Sequence, residues 1–214
     1  MSAWILLLLA VVALGVVALV WRMSSRRTSL PCPVWLRWLV ELDNPFTKVN
    51  RAKYIVDSLG LAPGMTVLDA GCGPGRVTVP LARAVGDEGR VVALDVQAGM
   101  LARARAKVDA AGLANVTFLE ARLGEGKLPR EHFDRIVLVT VLGEIPDQGA
   151  ALVELRDALV PAGVLAIVEV IFDPHFQRRT TVTKLATSIG LRERAFFGHR
   201  LAYVLHMEKP GSTG

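Results

Sequence analysis

The residues of this chain best suited to chemistry form two groups. The first is Asp69-Ala70-Gly71-Cys72-Gly73-Pro74-Gly75, followed by Asp95 at the close of the apolar run Arg90-Val91-Val92-Ala93-Leu94-Asp95. Glycines at 71, 73 and 75 permit a sharp turn and close approach to a ligand, because no Cβ blocks positive φ. An acid about 20 residues after such a turn can accept hydrogen bonds from ribose hydroxyls, so the pattern predicts a nucleoside-bearing cofactor. The second group is Glu144, Glu169, Asp173 and His175. Its chemistry is proton transfer, by carboxylates and by an imidazole of the residue type that titrates near neutrality. The plainer alternatives are a helix cap before Gln97 for Asp95 and a surface-loop histidine for His175. No His, Cys, Asp or Glu cluster has metal-ligand spacing, and no Ser-His-Asp motif is recognisable, so no metal is expected.

These groups need a scaffold that brings strand ends together. The apolar runs predict strands near 65–69, 90–95, 115–119, 134–140 and 163–170, separated by helices near 75–85, 98–111, 148–160 and 177–189. That is the rhythm of βαβ units, which implies a mostly parallel sheet covered by helices on both faces. The end differs: Arg194 to Phe197 and Leu201 to His206 are separated only by Gly198-His199-Arg200, which predicts a hairpin. The expected fold class is α/β, a doubly wound seven-stranded sheet with an antiparallel C-terminal hairpin. Ligands of such sheets bind beyond the carboxyl ends of the strands, which brings Thr140 and the residues after 69, 95, 119 and 170 into the candidate site.

A dinucleotide fingerprint would need a third glycine at the place held by Arg76, and Asp69 and Pro74 also fit it badly. The string Asp69 to Gly75 instead resembles the first motif of the class I S-adenosylmethionine-dependent methyltransferases, which share a Rossmann-like sheet. The resemblance covers roughly residues 45 to 209, in the family's order of elements. Phe133 to Leu138 and Leu159 to Leu165 resemble its fourth and fifth strands, with Pro161-Ala162-Gly163 where members often carry Pro-Gly-Gly. It implies S-adenosyl-L-methionine as cofactor, with Asp69, Ala70, Gly71, Cys72, Gly73 and Gly75 around the methionine part and Asp95 on the ribose. Val96 and Met100 would line the adenine slot. Where many members carry an Asp for the adenine amino group, this chain has Arg122, so the resemblance puts adenine against the backbone of Ala121, Arg122 and Leu123. Glu144 and His175 are the candidate catalytic residues, for acceptors that must lose a proton before attack.

Half of the residues, 52%, are hydrophobic, and the mean hydropathy is +0.40. The excess has an address. Ala3 to Trp21 carries no charge, and as a helix it would span about 28 Å. Arg22, Arg26 and Arg27 follow it, so the expectation is a single-pass transmembrane anchor with the catalytic domain in the cytoplasm. A cleaved signal peptide would want basic residues ahead of the run, and Met1 to Trp4 has none. The net charge of +5 also sits here: residues 1–55 hold Arg22, Arg26, Arg27, Arg37, Lys48, Arg51 and Lys53 against Glu41 and Asp43, and the remainder is balanced. Such a distribution suits an anionic bilayer surface rather than nucleic acid. Trp35 and Trp38, three apart in an expected helix at 34–42, suit either the headgroup level or a cap on the core. A further helix should begin near Asn44-Pro45, with a break at Ala62-Pro63-Gly64. The expected organisation is an anchor and basic flank at 1–30, interfacial or lid helices at 31–60 and the cofactor-binding domain at 61–214.

A membrane-anchored methyltransferase implies a lipophilic small-molecule or lipid acceptor. A phospholipid headgroup amine is slightly favoured, because the basic, Trp-containing segment at 33–53 could hold a phosphate. An isoprenoid quinone ring and a lipophilic thiol are the alternatives, with resemblance to quinone-biosynthesis methyltransferases pointing to the former. A membrane module that binds the cofactor without turnover is the reading from a different class. The sequence leaves the oligomeric state open.

Overall fold

The computed structural model describes residues 47–211 and, in isolation, Ile5. The expected membrane span, the helix at 34–42 and the helix start at Asn44-Pro45 lie outside the described residues. Among the described residues, no helix is long and apolar enough to cross a membrane.

After a 3-10 turn at Lys48–Asn50, the elements run α1 (Ala52–Ser58), β1 (Thr66–Ala70), α2 (Thr78–Val85), β2 (Arg90–Asp95), α3 (Ala98–Ala110) and β3 (Val116–Glu120). They continue as β4 (Phe133–Val139), a 3-10 turn at Leu142–Glu144, α4 (Gln148–Ala158), β5 (Leu159–Val170), α5 (Arg179–Ser188), β6 (Arg192–His199) and β7 (Ala202–Glu208). The seven strands form one sheet in the order β3-β2-β1-β4-β5-β7-β6. Neighbours from β3 to β5 are parallel, and β7 inserts antiparallel to both β5 and β6. The order reverses between β1 and β4, and a crevice at such a point is where open α/β sheets bind ligands.

The strands read as continuous apolar runs because the sheet is covered on both faces. Side chains alternate across it, so Leu165 and Ile167 join the cluster beneath α4 and α5, while Ala166 and Val168 join the cluster beneath α1 and α2. The second cluster takes in Val49, Ala52, Ile55, Val56 and Leu59, so the last part of the segment expected among the 31–60 helices packs against the sheet. Full burial of side chains such as Ile55, Leu68 or Leu165 stabilises the fold by roughly 1.5–3 kcal/mol each.

Most boundaries fall within one or two residues of the sequence expectation, and two larger differences have a local reason. The helix expected from 75 begins at Thr78, because the turn through Gly75, at φ +80°, runs on to Val77. The fifth strand begins at Leu159 rather than 163, paired with Phe133. Its register then slips through Pro161-Ala162-Gly163, with Ala162 at φ +62°, before Arg135 pairs with Val164.

Candidate functional site

The site begins where β1 and β2 end side by side. The N–H groups of Gly71 and Cys72 both donate to the carbonyl of Leu94, each at 2.8 Å, which ties the glycine turn to the end of β2. The three glycines then do different work. A Cβ on Gly71 would come within 2.5 Å of the Val141 side chain, and one on Gly75 would stand 2.9 Å from the Ala104 backbone in α3. A Cβ on Gly73 would meet nothing within 4 Å. Two glycines therefore let the turn nest between α3 and the segment after β4, and the third faces open space, as a cradle for a cofactor requires.

Asp95 closes this cradle. Its Oδ2 accepts from the Gly73 N–H at 2.9 Å and its Oδ1 from the Gln97 N–H at 2.8 Å. With the Val96 N–H as a further donor, the carboxylate still has acceptor capacity, which is what a ribose hydroxyl would use. The helix-cap alternative is thus met only in part: Asp95 does hold the Gln97 amide, and it holds the glycine turn as well. Burial raises its pKa, while the Gln97 and Gly73 bonds hold it down. Asp69, at 2% exposure, accepts a 2.6 Å bond from the Thr78 hydroxyl, and burial pushes its pKa up to about 6 despite that bond. Cys72 is a free cysteine whose thiol is pushed far up by burial, so it stays neutral and packs rather than reacts. Arg76 fills the place where the dinucleotide motif has glycine, and its guanidinium donates to the Asn50 carbonyl at 2.6 Å.

The adenine side is built from shorter reaches. Met100 is buried in α3 and Val96 is half-buried just after β2. The Ala121 N–H donates to the Asp95 carbonyl at 3.2 Å, and Leu123 packs on the core. The Arg122 side chain is exposed. Buried Glu154 of α4 holds this loop by accepting from the Gly124 and Leu128 N–H groups.

Beyond β4 and β5 the second group assembles. Thr140 takes φ +54°, donates its hydroxyl to the Val139 carbonyl and its N–H to the Val168 carbonyl, and turns the chain into Val141 beneath Gly71. A Cβ on Gly143 would collide with the His175 backbone, so the turn carrying Glu144 lies directly against the loop carrying His175. His175 is 6% exposed, and neither ring nitrogen has a hydrogen-bond partner. Its Nδ1 lies 3.8 Å from Glu144 and 3.9 Å from Asp173, too far for hydrogen bonds. Glu169 is 1% exposed, and burial holds its carboxyl well above the usual range, which favours the neutral form. It accepts from the Gln177 N–H at 2.9 Å. The Tyr203 hydroxyl donates to the Gln177 carbonyl, and the Gln177 amide donates to the His175 carbonyl.

His175 forms part of the wall of a cleft of about 720 Å³, together with Gly143, Ile145, Pro146, Ile171 and Phe176. Arg178 stands at this cleft, whereas Arg179 pairs with Glu193 and lies over the Phe196 ring. The structure thus brings Glu144, Glu169, Asp173 and His175 together and gives Glu169 a fixed part. Sequence reasoning missed Thr78, Val141, Gln177 and Tyr203. Thr78 left a signal, a hydroxyl at the start of an apolar helix just after the turn. Tyr203 left none, because its partner lies across a strand pairing. Among the described residues, no group could hold a metal ion.

Residues 67–163 match a family model described as a methyltransferase domain. The chain is similar to the ubiquinone/menaquinone biosynthesis C-methyltransferase UbiE of Shewanella oneidensis, at 35% identity over 118 residues, 55% of this chain and 47% of that protein. The corresponding protein of Shewanella halifaxensis shows 33% identity over the same shares. The chain therefore spans about half the length of the curated relatives it matches. Among solved structures, a SAM-dependent methyltransferase from Aquifex aeolicus superposes with TM-score 0.74 at 24% identity, covering 84% of this chain and all of that one. The [4+2]-cyclase SpnF superposes with TM-score 0.66 at 16% identity, over 75% and 80%. Likeness at that identity shows the fold alone.

Proposed function

Because the chain belongs to the class I S-adenosylmethionine-dependent methyltransferases, we propose that it methylates a lipophilic acceptor in the cleft beside His175, with the ring carbon of a quinol-type phenol as the acceptor class. It is a methyltransferase, and its cofactor is S-adenosyl-L-methionine. Bound there, that cofactor supplies an electrophilic methyl group on sulfur. The residues fit it: open space at Gly73, remaining acceptor capacity on Asp95 and apolar flanks from Met100 and Leu123.

One observation carries the acceptor reading. His175 is buried in the wall of a mixed cleft, apolar at Ile145, Pro146, Ile171 and Phe176 and polar at Gln148, Gln177, Arg178 and Thr181, with both ring nitrogens unpartnered, which is costly unless a substrate polar group completes it. A phenol held at His175 loses its proton to the imidazole, and the oxyanion pushes electron density onto the ring carbon. Glu144 and Asp173 then stabilise the imidazolium. Ile145, Pro146, Ile171 and Phe176 give an apolar ring a surface to pack on. The phospholipid headgroup amine, slightly favoured on sequence alone, finds no support in the comparisons, and the relatives named for quinone biosynthesis favour its alternative.

We keep the Ala3 to Trp21 run as a proposed single-pass anchor, with the catalytic domain on the cytoplasmic side. Its support is the uncharged run and the arginines that follow. The deciding experiment incubates the full chain in detergent with methyl-labelled cofactor and, separately, a demethylated quinol and phosphatidylethanolamine, resolving products by mass. Methyl on a quinol ring carbon, reduced about 10²–10⁴-fold by His175→Ala with cofactor affinity intact, supports the reading. Label in the phospholipid alone overturns it.

A further inference from the structure

Large apolar side chains are seldom exposed in pairs without a reason, and two of them stand at the site's edge of this sheet. Phe172 is 70% exposed and Leu201 is 51% exposed. They stand on adjacent turns. Val170 pairs with Ala202, and beyond that pair the Ile171 N–H donates to the Leu201 carbonyl at 2.7 Å, which ties the turn after β5 that carries Phe172 to the turn before β7 that carries Leu201. Ile171, which lies between these two strand ends, also lines the cleft.

Exposed cations stand around the pair, with the half-buried Asp173 next to Phe172 in the chain. Arg178, Arg200 and Lys48 are exposed at this edge, and none of the three forms an ion pair among the described residues. Lys48 belongs here because its turn packs on β5 and β7, where a Cβ on Gly198 would stand 3.1 Å from Val49. The chain enters the described domain at this same edge, with Asn50 held by Arg76 of the glycine turn. Ahead of that entry lies the sequence with the uncharged run Ala3 to Trp21 and the net charge of +5.

We propose that Phe172 and Leu201, ringed by Lys48, Arg178 and Arg200, insert into an anionic lipid bilayer surface and hold the mouth of the acceptor cleft against it. Each ring or leucyl side chain that leaves water gains apolar burial, and each nearby cation gains about 1 kcal/mol from anionic headgroups, about fivefold in affinity. A lipophilic acceptor then moves from the bilayer into the cleft without crossing water. The inference rests on the lipophilic-acceptor reading for its purpose, but not for its test.

The test uses the full chain carrying Cys32→Ser, with Phe172→Cys labelled by an environment-sensitive fluorophore. Glu88→Cys, exposed ahead of β2 at the opposite sheet edge, is labelled as the control. The probe is a vesicle of phosphatidylcholine with phosphatidylglycerol, doped with nitroxide lipid. The expected result is a blue shift and quenching at 172 but not at 88, with Arg200→Gln raising the phosphatidylglycerol content needed. A probe at 172 that stays in water while the protein is vesicle-bound overturns the proposal. Equal quenching at 88, or full quenching on vesicles lacking phosphatidylglycerol, overturns the oriented anionic contact. Because no turnover is read, a failed acceptor assay leaves this result standing, and the reverse holds too.

Discussion

Replacing Gly73 and Gly75 by alanine, one at a time, separates cofactor binding from folding. Both residues have positive φ, +52° and +80°, so each alanine costs roughly 1–2 kcal/mol for the left-handed backbone alone. The surroundings then divide them. The new Cβ at 75 stands 2.9 Å from the Ala104 backbone and 3.0 Å from its Cβ, and neither can swing away because both belong to α3. Overpacking of this kind adds about 1–3 kcal/mol, so Gly75→Ala should lose ~2–5 kcal/mol in all. At 73 the new Cβ meets no protein atom within 4 Å, so stability should fall only by the backbone cost. The same Cβ projects into the space assigned to the cofactor, and its affinity should weaken at least about tenfold, which is ~1.4 kcal/mol. Urea unfolding and calorimetric titration with S-adenosyl-L-methionine read the two quantities independently. Gly73→Ala with wild-type affinity would refute the placement of the cofactor over this turn, and Gly75→Ala with wild-type stability would refute the α3 contact.

Three further outcomes follow from buried titratable groups. Burial, with Arg194 and Arg135 nearby, lowers the pKa of His206 from the ordinary 6.5 to about 4, so the folded state favours the neutral ring. Its stabilising contribution is complete above the unfolded value and is lost as pH falls from 6.5 toward 4; unfolding titrations of His206→Gln should show a shallower pH slope in that window, by up to one proton. Glu169→Gln should leave stability within about 0.5 kcal/mol, because burial favours the uncharged carboxyl and the amide oxygen still accepts from Gln177; Glu169→Ala should lose roughly 1–3 kcal/mol by urea unfolding. Thr78→Val removes the hydroxyl that lowers the Asp69 pKa, so carboxyl-resolved NMR should find Asp69 titrating above its present value of about 6, and an unchanged value would discount that bond.

Much of the sheet was legible because its strands are apolar runs separated by helix-length intervals, and a parallel sheet covered on both faces has to be written that way. Arg90 to Asp95 was read with its observed bounds, and the other parallel strands before β5 were placed to within a residue or so. The glycine turn and Asp95 were legible because positive φ and an acid at a strand end leave specific residues in the sequence. The slip at Pro161-Ala162-Gly163 was not, since a bulge depends on which residue of β4 stands opposite. The network under His175 was not either. Gln177 is polar in a polar loop and Tyr203 is apolar in an apolar strand, and their relation exists only once β7 lies beside β5. The acceptor was not legible for a different reason: charge and tryptophans beside an uncharged run describe a surface, and a surface does not state which atom is methylated.

The insertion of β7 between β5 and β6 orders events during synthesis. Everything that cradles the cofactor, including Val141 beneath Gly71 and Glu154 behind the adenine-side loop, lies within residues 69–154 and can assemble before β7 emerges. The acceptor cleft cannot, because the loop bearing His175 is braced by the hydroxyl of Tyr203, on the last strand to emerge and one that must enter beside β5 rather than add at the rim. A nascent chain therefore acquires its cofactor cradle before the cleft in which the methyl group would be used. The C-terminal hairpin is, in time as well as in space, the part that completes the site.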